Sequence, residues 1–249
     1  MTAATVKSTQ RGFAILEMFD RERRPLTLKD ICNELGYAPS SGMSILKSLV
    51  TLGYLDFDVK THTYLPTMRI AHLGRWVENV LFGDGRLLRM MERLHAATGK
   101  FVILGTQSGL YAQWVHVVAG QSSLNFIGAP GTLRPLTSSG VGLMLLSTHS
   151  NAEIEKICRQ INYVNGKAER VDYAAILKIV EQARADGFAI TVDTPLPGGS
   201  LMSVAVPGVW NHRRFALGIP VATAELAALK APVLRAMQRE IAQLEAVTP

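Results

Sequence analysis

The sequence predicts an α+β protein, because helix-like and strand-like patterns occur in separate runs and do not alternate strictly. Three short helix-like stretches and one hairpin-like stretch occupy residues 10–66. After residue 83, two runs of β-prone segments have helical patterns before, between and after them, as in an antiparallel sheet flanked by helices. We therefore predict three parts: an N-terminal domain over residues 1–66, a linker helix over 67–82 and a C-terminal domain over 83–249.

Length and composition indicate a globular protein with a basic charge balance. Of its 249 residues, 48% are hydrophobic and 18% are charged, which argues against a disordered chain. Lys and Arg outnumber Asp and Glu by 26 to 20, and the formal charge of +6 favours anionic partners such as nucleic acid. The two cysteines are far apart, and no stretch has the pattern of a signal peptide or a membrane span. We expect a cytoplasmic protein without disulfides.

The first two helices are predicted to be short. Helix one covers Gln10–Phe19, where apolar residues recur every three or four positions: Phe13, Ile15, Leu16 and Phe19. Thr27 stands three residues before Asp30, which is the spacing of a capping box at the start of helix two. Gly36 can adopt the left-handed conformation that ends this helix.

A third helix is predicted directly after a turn at residues 37–39. Ser40 and Ser41 are expected to cap its first turn, and Gly53 is expected to end it. An apolar stripe marks one face of this helix: Ile45, Leu49 and Leu52. The opposite face is polar and contains no acidic residue: Ser44, Lys47, Ser48 and Thr51.

A hairpin is predicted next, from the β-prone runs Tyr54–Asp58 and His62–Leu65. Two helices joined by a short turn and followed by a hairpin form the pattern of a winged helix-turn-helix. Such a domain places its recognition helix in the major groove of DNA. The linker helix over residues 67–82 follows the hairpin.

The C-terminal part is predicted to contain five helices and six strands. The helices are expected up to about Thr98 and over Ser139–Leu146, Ala152–Ile161, Tyr173–Asp186 and Ala224–Leu244. The strands are expected over residues 101–104, 111–118, 125–128, 188–192, 201–206 and 215–219.

Blocks in both halves of the chain resemble the IclR family of bacterial transcription regulators. The N-terminal blocks run from Pro25 to Ile31 and continue through Gly36, Ser40–Ser41 and Gly53–Tyr54. The C-terminal blocks are Gly131–Gly140, Gly187–Ala189 and Ser203–Pro207. The resemblance covers nearly the whole chain. It implies a GAF-like C-terminal domain that binds a small-molecule effector, such as a carboxylate, and operator binding as a homodimer or homotetramer.

Double-stranded operator DNA is the expected partner of the N-terminal domain. Lysine neutralises phosphate, while small hydroxyls on a helix allow close approach to the bases. Together with the resemblance, this assigns eight residues to DNA contact: Arg11, Thr27, Ser40, Ser41, Ser44, Lys47, Lys60 and His62. A plain solvated face on helix three stays open as the alternative. The family often has arginine where this chain has Ser44, so the operator sequence is not transferable.

The effector site is expected where a loop at residues 137–140 enters a helix, because free amide donors there suit an anion. A plain helix cap is the alternative on the residues alone. The resemblance implies eight effector-binding residues: Ser138, Ser139, Gly140, Asp193, Leu201, Ser203, Gly218 and Pro220. The family often has lysine where this chain has Val141, so the effector's identity is not transferable either.

Motifs for catalysis, cofactors and metals are not found in the sequence. The six histidines lack metal-ligand spacing, and no phosphate loop, dinucleotide fingerprint or nucleophile elbow is present. We expect a regulator without enzyme activity, metal or cofactor. Two alternatives stay open: an enzyme domain recruited to DNA by the winged helix, and a winged helix used for protein contact, which would carry an apolar or acidic outer face on helix three.

Overall fold

The computed structural model describes residues 6–83, 85–120, 128–165, 170–194, 197–210 and 212–245. The chain divides into two compact units, Met1–Val80 and Leu81–Pro249. No helix in these described ranges is long and apolar enough to cross a bilayer.

The first unit combines helices with a small antiparallel sheet. The helices are α1 (Lys7–Glu22), α2 (Leu28–Leu35), α3 (Pro39–Thr51) and α4 (Met68–Phe82), the last of which continues past the boundary between the units. The strands β1 (Leu26–Thr27), β2 (Leu55–Asp58) and β3 (Thr63–Pro66) lie in the order β1-β3-β2. One apolar cluster forms the core: Ile15, Met18, Phe19, Leu26, Ile31, Leu46, Leu55 and Tyr64.

Helix boundaries in this unit follow local chemistry. Thr27 and Asp30 form the predicted capping box at the start of α2, and Gly36 ends that helix at φ +65°. The prediction that Ser40 and Ser41 cap α3 is wrong. Pro39 occupies its first turn and Ala38 is the N-cap residue, without a side-chain cap. Proline suits that position because its missing N–H would be unpaired there anyway.

The predicted apolar stripe of α3 is correct for Ile45 and Leu49, which pack against the core, and wrong for Leu52. Leu46 and Gly42 are buried, whereas Leu52 is 55% exposed. A methyl group at Gly42 would lie only 2.6 Å from Cys32 Sγ, so α3 crosses α2 at this glycine. That close crossing decides which side of α3 faces the core. Phe13, predicted on the inner face of α1, is likewise exposed.

The second unit is built on a six-stranded antiparallel sheet in the order β6-β5-β4-β9-β8-β7. The strands are β4 (Val102–Ser108), β5 (Tyr111–Val118), β6 (Leu133–Pro135), β7 (Ala189–Val192), β8 (Gly199–Trp210) and β9 (Arg213–Ala222). The helices are α5 (Arg86–Thr98), α6 (Gly140–Ser147), α7 (Asn151–Asn165), α8 (Tyr173–Asp186) and α9 (Leu226–Glu245), with a 3-10 turn at Thr223–Glu225 before α9.

Two apolar clusters cover the two faces of this sheet. Residues of α5 and α9 pack with Val204 and Phe215 on one face. Residues of α6, α7 and α8 pack with Ala189 and Ala216 on the other. Because successive residues of a strand point to opposite faces, Leu201, Ser203 and Ala205 share the face that carries α6.

The predicted elements of this unit are present with shifted ends, apart from one strand, and the structure adds one strand that was not predicted. Residues 125–127 of the strand predicted over 125–128 lie outside the described residues. Gly128 is described and is not in a strand. Strand β6 was not predicted. It pairs with β5 and is only three residues long, which is too short for a periodic pattern.

Candidate functional site

The outer face of α3 is exposed and polar. Ser44 Oγ donates to the backbone oxygen of Ser40 at 3.0 Å, and Ser48 Oγ donates to that of Ser44 at 2.9 Å. These hydroxyls therefore lie along the helix surface and project little from it, beside the exposed Lys47. Since α3 contains no acidic residue, nothing on the helix itself repels phosphate. The face fits close approach to a DNA groove.

Arg11 connects α1 to the first turn of α3. Its Nη1 donates to Ser41 Oγ at 2.8 Å, and its guanidinium lies over the ring of Tyr37, 5.1 Å from the centroid. No ion pair in the described part of the chain involves Arg11. The arginine charge therefore remains uncompensated at the start of α3, where it can attract a phosphate.

The tip of the β2–β3 hairpin carries charges of both signs. Lys60 and His62 are exposed, and His62 has a positive φ of 53°. Asp58 Oδ1 accepts from the backbone N–H of Lys60 at 2.7 Å. That bond, with a smaller contribution from the Thr61 hydroxyl, lowers the pKa of the Asp58 carboxyl. Sequence reasoning missed this carboxylate, which moderates the positive potential of the tip.

Thr27 has a structural task. Its hydroxyl donates to Asp30 Oδ2 at 2.8 Å and accepts from the backbone N–H of Asp30 at 3.1 Å. The backbone N–H of Thr27 donates to the same carboxylate at 2.9 Å. These bonds lower the pKa of Asp30, the backbone bond contributing most. The hydroxyl proton of Thr27 is therefore donated to Asp30 within the capping box of α2.

In the second unit, Ser139 caps the start of α6. Its Oγ donates to the backbone oxygen of Pro135 at 2.7 Å and accepts from the backbone N–H of Gly142 at 3.1 Å. Ser139 is buried, whereas Ser138 is exposed. The helix cap considered from the sequence is therefore present, and it places Ser139 against the sheet.

Helix α6 lies close to the sheet because glycines occupy the contact points. A methyl group at Gly140 would lie 2.7 Å from Ser203 Oγ, and one at Gly218 would lie 2.9 Å from Val141 Cγ2. Gly105 on β4, which the sequence analysis did not single out, would place one 2.6 Å from Val141 Cγ1. Any larger residue at these points would push α6 away from the sheet.

Two buried hydroxyls beneath α6 lack hydrogen-bond partners. Neither Ser203 Oγ nor Thr191 Oγ1 is bonded to any described atom. Thr191 lies opposite Leu201 in the β7–β8 register, and Ser203 is two residues further along β8, so both hydroxyls belong to the α6 face. Such an unpaired group costs about 1–3 kcal/mol, which a bound polar molecule can recover. Sequence reasoning missed Thr191, although strand alternation places it on this face.

The other predicted effector residues divide into two groups. Leu201 and Pro220 face each other in the β8–β9 register near Ser203, and a methyl group at Gly218 would lie 3.2 Å from Leu201 Cδ1. Asp193 is exposed, and its Oδ1 accepts from the backbone N–H of Gly198 at 2.8 Å and from the Thr223 hydroxyl at 3.1 Å. The structure thus uses the Asp193 carboxylate in the turn between β7 and β8.

Family models match both parts of the chain. The IclR helix-turn-helix domain model covers residues 8–59, and the model of the bacterial transcriptional regulator IclR C-terminal domain covers residues 86–244.

Individual proteins agree with these models. The HTH-type transcriptional regulator XynR of Escherichia coli K12 is 24% identical over 208 residues, which are 83% of this chain and 81% of that protein. An IclR transcriptional regulator from Alicyclobacillus acidocaldarius has the same fold, with a TM-score of 0.71 at 17% identity over 97% of this chain and 98% of that one. An IclR homologue from Microbacterium hydrocarbonoxydans, solved in complex with 4-hydroxybenzoate, has a TM-score of 0.66 at 16% identity over 95% and 100% of the two chains.

Proposed function

This chain belongs to the IclR family of bacterial transcription regulators, with a helix-turn-helix DNA-binding domain and a C-terminal effector-binding domain, and we propose residues for each task and an oligomeric state. Acting on chromosomal DNA, it works in the cytoplasm. The N-terminal domain, the linker helix and the C-terminal domain keep their expected bounds in this proposal, at residues 1–66, 67–82 and 83–249.

Operator contact is made by the outer face of α3. The observation that carries this proposal is the exposed, acid-free face around Ser44 and Lys47. Arg11 and Ser41 support the first turn of α3, and Lys60 at the hairpin tip reaches the flanking backbone. This arrangement argues against the protein-contact alternative, which would need an apolar or acidic face.

Salt dependence of DNA binding tests this assignment. Replacing Lys47 by alanine is expected to weaken binding to all duplexes alike and to lower the slope of log affinity against log salt by about one unit, the loss of one phosphate contact. Lys178→Ala, which removes an exposed lysine from α8 in the second unit, is the matched control. Equal slopes for a folded Lys47→Ala protein and the wild type would remove Lys47 from the interface.

The protein acts as a homodimer, or as a homotetramer built from dimers. An apolar groove of about 670 Å³ in the first unit is lined by residues of α1, α3 and α4. Phe13, Leu52 and Leu73 on its walls are all more than half exposed, a cost that a second copy would remove. Two-fold pairing also matches paired half-sites about 10 base pairs, or a multiple, apart.

Sedimentation tests the dimer. Phe13→Glu is expected to raise the monomer fraction at micromolar concentration, whereas Val59→Glu, at an exposed position on the hairpin, should leave the wild-type distribution. A wild-type protein that sediments as a monomer and protects one short DNA site would contradict the proposal.

The effector is a small polar molecule, such as a carboxylate, bound between the start of α6 and the sheet. The unpaired hydroxyl of Ser203, beside the tightly placed Gly140, supports this position. Coupling between effector and operator sites is usually worth about 1–3 kcal/mol, or 5- to 150-fold in affinity. The domain works by binding alone, so a bound effector should be recovered unchanged after prolonged incubation, and chemical turnover would favour the enzyme alternative.

A further inference from the structure

A cavity in the C-terminal unit lies at the opposite end of α6 from Ser139. It has a volume of about 400 Å³ and is lined by Thr148, the β8 segment Ala205–Val209, Arg214 and Ile241. Helix α6 has eight residues and is thus about 12 Å long, with Ser139 before its first residue and Thr148 after its last. The cavity is therefore distinct from the site around Ser203.

Arg214 is the only charged side chain that lines this cavity in the described part of the chain. It is half-buried, and no ion pair among the described residues involves it. Its Nη1 lies 3.3 Å from His149 Nδ1. A half-buried guanidinium that forms no ion pair can still pair with an anion from solution.

Among the described residues, no carboxylate lies within 4 Å of the Arg214 guanidinium, although Glu153 is nearby. His149 Nε2 lies 2.8 Å from Gln107 Oε1, an acceptor, so Nε2 carries the proton and Nδ1 accepts from Arg214. The ring is therefore neutral in this arrangement. Glu153 of α7, the nearby carboxylate, lies 3.6 Å from the same Nδ1 and already accepts from the backbone N–H and hydroxyl of Ser150.

The irregular part of β8 shapes the cavity. Pairing with β7 ends at Ser203, and the following residues of β8 have no strand on that side among the described residues. The register with β9 is interrupted between Val206 and Trp210, and Gly208 there has a φ of 80°. Bulges of this kind often lie next to binding sites because they redirect side chains. Here the bulge stands beside Arg214 on the paired strand.

We propose that this cavity is a second small-molecule site, which binds an organic monocarboxylate with a compact apolar body. The Arg214 guanidinium pairs with the carboxylate in the two-pronged geometry that suits this group. Ala205, on the same sheet face as Arg214, and the bulged segment Pro207–Val209 contact the apolar body, and the volume lies in the range of small-ligand sites. Because α6 connects this cavity to Ser139, a ligand here acts on the same helix as the effector.

Titration of the full-length protein with sodium benzoate tests the proposal by calorimetry. We expect wild-type protein to bind benzoate and Arg214→Gln to bind it at least ten-fold more weakly. Arg213→Gln is the matched control, because it removes the exposed neighbouring arginine and should keep wild-type affinity. Benzyl alcohol, which has the same ring without the charge, should bind at least ten-fold more weakly than benzoate.

Further variants separate this site from the one around Ser203. Ala205→Leu narrows the cavity without removing Arg214 and should also weaken benzoate binding at least ten-fold, which keeps the test valid if Arg214→Gln fails to fold. Ser203→Ala, a small change at the other site, should leave benzoate affinity unchanged. Three results would overturn the proposal: no benzoate binding to the wild type at millimolar concentration, full affinity in Arg214→Gln or Ala205→Leu, or loss of binding in Ser203→Ala. Competition by an equal concentration of inorganic phosphate would overturn the carboxylate assignment.

Discussion

The guanidinium of Arg11 on α1 donates a hydrogen bond to the hydroxyl of Ser41 on α3, with Nη1 and Oγ 2.8 Å apart. The same guanidinium covers the ring of Tyr37 in the turn between α2 and α3. One side chain thus joins three consecutive parts of the helix-turn-helix. Its charge also stands next to the polar face proposed to contact DNA.

Removing the Arg11 side chain should loosen α3. We expect Arg11→Ala to lower the local opening free energy of α3 by about 1–2 kcal/mol, from one hydrogen bond and one cation–π contact. Amide hydrogen exchange of α3 measures this change. Arg21→Ala, which removes an exposed ion pair with Glu34, should cost less because exposed pairs contribute about 0–1 kcal/mol. Equal effects of both variants would argue against a positioning role for Arg11.

Adding a methyl group at Gly140 should separate α6 from the sheet. The new carbon would lie 2.7 Å from Ser203 Oγ, so we expect Gly140→Ala to lower the unfolding free energy by about 1–3 kcal/mol. Ser203→Ala in the same protein removes the clashing oxygen and should recover part of the loss. Denaturant unfolding of both variants measures this coupling. Gly74→Ala, at a helical glycine in open space, should be neutral or stabilising. Strict additivity of the two changes at Gly140 and Ser203 would contradict the contact.

Ser203 and Thr106 provide a direct comparison of buried hydroxyls. Ser203 Oγ is unpaired among the described residues, so Ser203→Ala should leave stability unchanged or raise it by up to about 1–3 kcal/mol. Thr106 Oγ1 donates to the backbone oxygen of Arg214 at 2.8 Å, so Thr106→Val should be destabilising. Denaturant unfolding compares the two. If Ser203→Ala lowers the free energy of unfolding as much as Thr106→Val does, the Ser203 hydroxyl has a protein partner in solution.

A bulky residue at Ser139 should abolish the effector response. We expect Ser139→Trp to push the start of α6 away from the sheet, because Ser139 is buried and caps that helix, while operator binding without effector persists because α3 belongs to the other unit. Ser203→Ala should weaken effector binding less, by about 0.5–1.5 kcal/mol for one net hydrogen bond. Thermal-shift screening identifies the effector, and calorimetry then measures both variants. Wild-type effector affinity in Ser139→Trp would place the effector elsewhere.

Stability should fall as the pH drops below 6.5 because of His149. Burial lowers its pKa, Arg214 adds to this, and Glu153 opposes it. The unfolded chain therefore binds this proton first, and the stabilising contribution is full above pH 6.5 and is lost as the pH falls through the lower folded pKa. Glu153 stays ionised in this window, since hydrogen bonds from Ser150 lower its pKa to about 2. His149→Gln should remove this dependence in denaturant unfolding, whereas exposed His72→Gln should not.

Much of the architecture could be predicted from the sequence because it rests on short-range chemistry. The capping box of Thr27 and Asp30 and the helix end at Gly36 depend on residues a few positions apart. The exposed polar face of α3 likewise follows from spacing alone. Blocks of residues in both halves of the chain indicated the family, since such blocks are a property of the residue order itself.

Tertiary packing decided the features that depend on distant residues. Gly42 allows α3 to pass close to Cys32, ten residues earlier, and the predicted stripe of Ile45, Leu49 and Leu52 did not show this crossing. The unpaired Ser203 hydroxyl beneath Gly140 and the Arg214 cavity arise where β8 meets α6 and β9. Periodicity assigns a residue to a face, but burial, unpaired polar atoms and cavities depend on which element covers that face. The sequence by itself therefore determined the elements and the family, and the packed structure decided what each face contacts.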